Sequence, residues 1–252
     1  MEYFVEQDHI VQKIWGKADV ILLIFAGAAA EFALNKSVDW LYFTGKLPSD
    51  PLGRLFSTVG YARQIIFSPK EKAHAAIDKM RKIHTGVETA RGAAIPDWAY
   101  RDVLYMLIHY SIASFEVLDR KLTDREKDDV VEVFYRMATR MGLSNIPSSY
   151  ATWQTEYSQQ QASNLQYSKY TADLFKQYKK HLGSFRYFIL LESQKLVANE
   201  IVLENLNLGK SSVIKPMVYI YKIVRRMNAE WFIQSILLPA QYKTQIRQMN
   251  MV

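Results

Sequence analysis

The sequence predicts an all-α fold, a single multi-helix domain over residues 1–252 with about eight to ten helices. Three observations carry this. Ala, Leu, Ile, Lys, Glu, Gln and Met dominate the periodic segments, a composition that favours helix. Apolar positions recur at steps of three and four, which lays them along one helical face. No alternating apolar and polar run of useful length suggests a strand. At 252 residues and 49% hydrophobic, the chain can bury a substantial core.

The elements follow in order. Residues 18–36 read as a buried helix, rich in Ala with one Gly. Their apolar run, Val20 to Ala30, has eleven residues between Asp19 and Glu31. That is too short to span a bilayer, which takes about 20 residues, and no cleavage site of a signal peptide follows it. "KLPSDPLG", residues 46–53, reads as a loop. A helix over about Arg54 to Phe67 comes next. "SPKEK" then predicts a helix start with Ser68 as N-cap, Pro69 at the first helical position and Glu71 closing a capping box. That helix runs to about Glu88. Its apolar stripe is Ala73, Ile77, Met80, His84 and Val87, so His84 points inward.

"ARGAAIP" interrupts the pattern before a helix over about Asp97 to Lys121. Thr123 and Glu126 form a capping box for the next, which stops near Met141–Gly142. Helices over 150–161, 168–182, 184–206 and about 213–237 complete the chain, the last stopped by Pro239.

Composition narrows the chemistry. There is no cysteine, so disulfides, thiolate zinc sites, iron–sulfur clusters, covalently attached c-type haem and thiolate-ligated haem are excluded. The absence fits a reducing cytoplasm. The net charge of +7 and a pI near 9.3 suggest anionic neighbours. The basic residues form no arm and accompany no nucleic-acid motif, which argues against nucleic acid and leaves peripheral association with a membrane open. The basic, aromatic segment "KPMVYIYKIVRRMNAEWF" reads either as an amphipathic core helix or as one lying on a membrane.

Several residues could carry chemistry. Of the five histidines, His9, His74, His84, His109 and His181, only His84 and His109 sit within apolar helices. A buried histidine is either a hydrogen-bonded core residue or a ligand. Two Glu-x-x-His pairs, Glu6/His9 and Glu71/His74, have the spacing of a di-iron carboxylate site. Glu31 stands in the apolar "GAAAEFAL", where a carboxylate is costly unless paired or functional. It is either ion-paired with an interior arginine such as Arg54 or an acid that handles protons near a ligand. Arg54 and Thr58 are i and i+4 on one helix face. Arg54 could grip a carboxylate bidentately and Thr58 offer a hydroxyl. No Ser-His-Asp signature, phosphate-binding loop, GxGxxG or HExxH is present.

The stretch "RLFSTVGYARQIIFS…AIDKMRKIHTGV" resembles the core motif of the haem-dependent mpaB-type and rubber-oxygenase (latex-clearing protein) superfamily. The pattern is Arg-x-x-x-Thr, then His-x-x-Val about 26 residues later. "IPDWAYRDVLYMLIHYSI", "LTDREKDDVVEVFYRMATRMGLSNIPSSYATW", "LFKQYKKHLGSFRYFILLESQKLVANEIV" and "LLPAQY" are closer to the mpaB branch. The resemblance covers roughly residues 18–242.

The resemblance implies an all-α fold enclosing a b-type haem. His84 would be the proximal iron ligand, with Arg54 and Thr58 on the distal side. His109 matches a second family histidine, structural or supporting the ligand. The activity implied is that of an oxygenase, with O2 bound to iron opposite His84 and an apolar unsaturated small molecule, isoprenoids included, as substrate. Rubber oxygenases carry a Lys before the distal Thr; here it is Ser57, which implies an open or water-ligated distal site. Glu31 and Asp39 are then the candidate distal acids. The fungal mpaB members are membrane-bound, whereas this chain is expected in the cytoplasm or peripheral to a membrane. The rival expectations are a non-catalytic haem-binding or sensing protein, a cofactor-free module for a membrane surface or partner, and a di-iron carboxylate protein.

Overall fold

Residues 2–226 are described by the computed structural model. Their helices are α1 (Ile10–Trp15), α2 (Ala18–Leu34), α3 (Val38–Phe43), α4 (Lys46–Ser49), α5 (Pro51–Ile66) and α6 (Lys70–Arg91). They continue with α7 (Asp97–Leu118), α8 (Asp124–Met141), α9 (Tyr150–Asn164), α10 (Lys169–Val197), α11 (Glu200–Asn205) and α12 (Lys215–Arg226). Among the described residues there is no strand; extended pairing is limited to single bridges, Tyr3 with Pro69 and Asn35 with Leu165. Among the described residues the helix count exceeds the expected eight to ten because α1, α3, α4 and α11 are one or two turns long, too short to show a periodic pattern.

α2 is the central element. It is buried on nearly all sides, with Ile21, Ile24 and Ala33 fully enclosed, and packs chiefly on α7 and α10. Gly27 explains how close the α2–α7 approach is. A Cβ there would lie 2.2 Å from the Tyr110 ring, so only glycine lets the helices meet at this level. Most of the core is one continuous cluster, with a smaller one where α11 closes over the end of α2.

Local signals set several boundaries as read from the sequence. Thr123 accepts from the Glu126 N–H and Glu126 reaches back to the Thr123 N–H, the capping box that starts α8. Gly142 (φ 94°) ends α8 in the left-handed conformation where a stop was expected, and Gly92 (φ 70°) ends α6 in the same way, past the expected end near Glu88. Gly183 (φ 72°, ψ 168°) breaks α10, where two helices were expected.

Other boundaries are corrected. α5 begins at Pro51 rather than Arg54, because Asp50 caps it by accepting from the Gly53 N–H at 2.9 Å. Residues 46–49 form α4 rather than loop. Ser68 does not cap α6. Pro69 is extended (ψ 148°) and pairs with Tyr3, while the Lys70 N–H donates to the Glu2 carbonyl. The N-terminal segment thus supplies the partner that a capping box would have supplied, and the helix starts one residue later. The helix expected over 184–206 ends at Val197, and Asn199 caps the separate α11. The predicted continuation past Arg226, Pro239 and "LLPAQY" lie outside the described residues. No helix among the described residues is long and apolar enough to cross a membrane.

Candidate functional site

The stripe of α6 divides along its length. Ala73 and Ile77 are enclosed in the core, whereas Met80, His84 and Val87 line a cavity of about 670 Å³. This is within the range of about 300–1,000 Å³ that suits a cofactor or drug-sized ligand. α5 contributes Arg54, Ser57, Thr58 and Tyr61 to its wall, spaced three, one and three apart and so on one helical face. Phe32 of α2, Tyr100, Val103 and Leu107 of α7, and Arg186 of α10 also line it. The wall is otherwise mostly aliphatic and aromatic.

Among the described residues three polar groups in this wall lack partners: the Ser37 hydroxyl, His84 and Arg54. The Nδ1 of His84 is buried and has no hydrogen bond. The Tyr100 ring stands edge-on at 5.2 Å. Burial, then the charge of Arg54, depress the pKa of His84, against a smaller opposing pull from Glu88. Its imidazole is therefore neutral, the form that binds a metal. Glu88 is held elsewhere, accepting from the Ile95 N–H at 2.9 Å and the Tyr100 hydroxyl at 3.4 Å. Arg54 is partly buried, which lowers its pKa. No acid pairs with it among the described residues. Thr58 donates its hydroxyl to the Arg54 carbonyl at 3.1 Å, leaving its oxygen free to accept. His84, Arg54 and Thr58 are thus brought together on one cavity.

Glu31, His109 and Asp39 are not among the cavity-lining residues. His109 lies two positions beyond Leu107, about 200° around α7, and faces away. Its Nε2 is 3.3 Å from the Val197 carbonyl and its ring packs on Tyr110 and Tyr157. Burial pushes its pKa down to about 4. Glu31 likewise turns toward α7 and α9. Among the described residues it is ion-paired with neither Arg54 nor any other arginine; it accepts from the Tyr157 hydroxyl at 2.6 Å. The Tyr110 hydroxyl and Gln161 amide stand near it outside normal hydrogen-bond geometry. Burial raises its pKa to about 7 despite these neighbours. Next to it Asp102 accepts from the Asn35 and Asn164 amides at 2.8–3.0 Å, and burial raises its pKa to about 6. These residues form a separate polar cluster between α2, α7 and α9.

Asp39 pairs with Arg91 at 2.8 Å, and the Arg91 guanidinium lies 3.9 Å from the centre of the Trp40 ring. Trp40 lines the cavity, so this contact fastens α3 to the end of α6. The two Glu-x-x-His pairs do not converge. His9 caps α1 by accepting from the Val11 N–H, and His74 packs edge-on against Phe4. Among the described residues no three His, Asp or Glu side chains gather as a metal-binding group. Sequence reading missed Trp40, Tyr100 and Arg186. The spacing of Tyr100, Val103 and Leu107 was the available signal, but it is equally the signature of core packing.

No curated protein and no solved structure matched the chain. A protein-family model did, over residues 15–245, nearly the whole chain: that of the ER-bound oxygenase mpaB/B'/rubber oxygenase catalytic domain. With its helical fold and a cavity bounded by the Arg-x-x-x-Thr and His-x-x-Val segments, the chain belongs to this oxygenase family.

Proposed function

We propose that this chain is a haem-b-dependent oxygenase acting on an apolar unsaturated substrate, isoprenoids included. The observation that carries the reading is the buried, unpartnered Nδ1 of His84 in the wall of an apolar cavity. A buried polar nitrogen without a partner costs about 1–3 kcal/mol, and a bound group that engages the imidazole would offset it. The residues present fit haem b: a neutral histidine to hold the iron, an arginine with no counter-ion among the described residues to meet a propionate or a developing negative charge, and apolar walls for the macrocycle.

Haem, when bound, supplies the iron that activates dioxygen. The chain supplies the rest. His84 holds the group through one ring nitrogen. Arg54 contributes positive charge in a poorly solvated site, where it acts more strongly than in water. The Thr58 oxygen accepts a hydrogen bond and so orients a ligand or water. Ser57, too short and weakly basic to ligate iron, leaves its position open. The apolar wall desolvates and positions a hydrocarbon chain. Glu31 and Asp39 do not line the cavity, so protons reach it from solvent, and Arg54, Thr58 and Tyr61 orient the water that carries them by hydrogen bonds.

The test is the absorption spectrum of the purified chain expressed with haem supply, wild type against His84→Ala, with circular dichroism to confirm that both fold. A Soret band in wild type that is lost or strongly shifted in the variant is expected. A folded wild type that takes up no haem on reconstitution would sink the reading. Haem uptake without oxygen consumption over unsaturated lipids would leave a haem-binding or sensing protein in its place.

A further inference from the structure

Two stretches concentrate the positive charge of the chain. Residues 174–191 and 205–226 together hold nine Lys and Arg and no Asp or Glu, more than the net +7 of the whole molecule. They lie side by side. The Ser212 hydroxyl donates to the Glu192 carbonyl at 2.9 Å, and the Val213 N–H donates to the Glu192 carboxylate at 2.7 Å. This seats the start of α12 against α10 one turn beyond Phe188.

α12 has two unlike sides. Val218 and Tyr221 pack on the core. The Tyr221 hydroxyl donates to Asp19 at 2.9 Å, and Arg225 forms a buried ion pair with the same carboxylate. Pinned on that side, α12 turns Met217, Ile220 and Ile223 outward, and Val213 just before it is exposed too, all 51–66% exposed. Phe185 and Phe188 of α10 are also exposed. Lys215 and Lys222, seven residues apart, run along one flank of this stripe. An apolar stripe bordered by cations on a helix fixed to the surface is the arrangement of an interfacial helix.

We propose that the α10–α12 face docks on an anionic lipid surface, its apolar stripe among the acyl chains and its lysines at the headgroups. A second copy of the chain is a poor occupant. A two-fold interface would lay a predominantly basic face on itself, in which Lys210 already has its acids in Glu200 and Glu204. Met217 lines the cavity as well as standing on the docking face. Docking therefore sets one side of the cavity against the lipid, where an apolar substrate is concentrated. The docking itself does not depend on what the cavity holds.

The test is flotation of the full chain, with and without haem, on vesicles of phosphatidylcholine alone and of phosphatidylcholine mixed with phosphatidylserine. Recovery with the anionic vesicles, declining as salt rises and weak on the neutral ones, is expected. Ile220→Asp combined with Ile223→Asp should lower the partition coefficient about tenfold or more, with helical content unchanged. Lys215→Glu should weaken binding to the anionic vesicles specifically. Absence of the wild type from the anionic vesicles, or equal recovery of the double variant, would overturn the proposal. So would a concentration-dependent dimer that the double variant abolishes, which would give the face to a second copy. None of these readouts uses haem or turnover, so failure here is distinct from failure of the oxygenase reading.

Discussion

Asp102 and His84 are both polar side chains set among packed helices, but three hydrogen bonds wrap the first, while the buried Nδ1 of the second has none. The same contrast separates Glu31, which holds the Tyr157 hydroxyl at 2.6 Å, from Arg54, which meets no acid among the described residues. One cluster joins α2, α7 and α9 and gives both of its carboxyl groups hydrogen-bond donors, although the Tyr110 hydroxyl and the Gln161 amide beside them stay unpaired. The other lines a cavity and waits on something from outside. Burial alone therefore does not mark a functional residue. A buried group that is incomplete and also lines a cavity is a candidate for a ligand, whereas the unpaired Tyr110 and Gln161 line none.

The largest effect should come from breaking the cluster at Asp102. Asp102→Ala leaves the Asn35 and Asn164 amides without their acceptor. Each such loss costs about 1–3 kcal/mol, so the variant should be about 3–5 kcal/mol less stable and melt about 10 °C lower. Thermal denaturation with the cofactor absent checks this. A loss no greater than that of His84→Leu would dissolve the distinction between the two clusters.

A second effect, about 3 kcal/mol, sharpens the contrast through pH. Glu31 has a folded pKa of about 7 against an ordinary 4.5. A carboxyl raised in this way binds its proton more tightly in the folded state. Its stabilising contribution is complete below about pH 4.5 and is lost as pH rises through 7. Asp102 (about 6) acts in the same sense and His109 (about 4) in the opposite one, losing stability as pH falls below its ordinary 6.5. The difference between wild type and Glu31→Gln isolates the one group. Urea unfolding across the window should show wild type losing stability relative to the variant as pH rises. Parallel curves would mean that Glu31 is ionised throughout and solvated by a route the structure does not contain.

Legibility in the sequence followed the range of the interactions. The Thr123–Glu126 box and the glycine stop at Gly142 were readable because every participant lies within one turn. The inward aim of His84 and the shared face of Arg54 and Thr58 were readable from helical spacing. The start of α6 was misread because its true partner, the segment at Tyr3, is far away in sequence. The solitude of Glu31 in an apolar helix showed that it needed a partner but could not name one. Tyr157 lies 126 residues further on and is brought near only by packing of α9. His109 seemed equivalent to His84 because both interrupt apolar helices. Only the rotation of α7 reveals that one faces the cavity and the other the Val197 carbonyl. Trp40 and Tyr100 stayed hidden because an aromatic residue beside a cavity has the same pattern as one in a core.

The smallest predicted effect is the most specific to the cavity-lining cluster. In the chain without haem, Arg54 is a partly desolvated cation facing apolar walls with no acid to meet it, and His84 keeps a bare buried nitrogen. Replacing either by an apolar side chain of similar length, Arg54→Met or His84→Leu, removes a desolvation cost and no existing contact to an acid. Each variant should be about 1 kcal/mol more stable than wild type in urea. With haem supplied the order should reverse. Wild type gains from binding, by an amount set by how far the haem concentration exceeds the dissociation constant, and the variants gain less. Stabilisation without ligand together with weaker retention of ligand is the signature of a residue kept for function at the expense of stability. If both substitutions destabilise the haem-free chain as Asp102→Ala does, then His84 and Arg54 are architectural, and the cavity they line holds something that does not engage them.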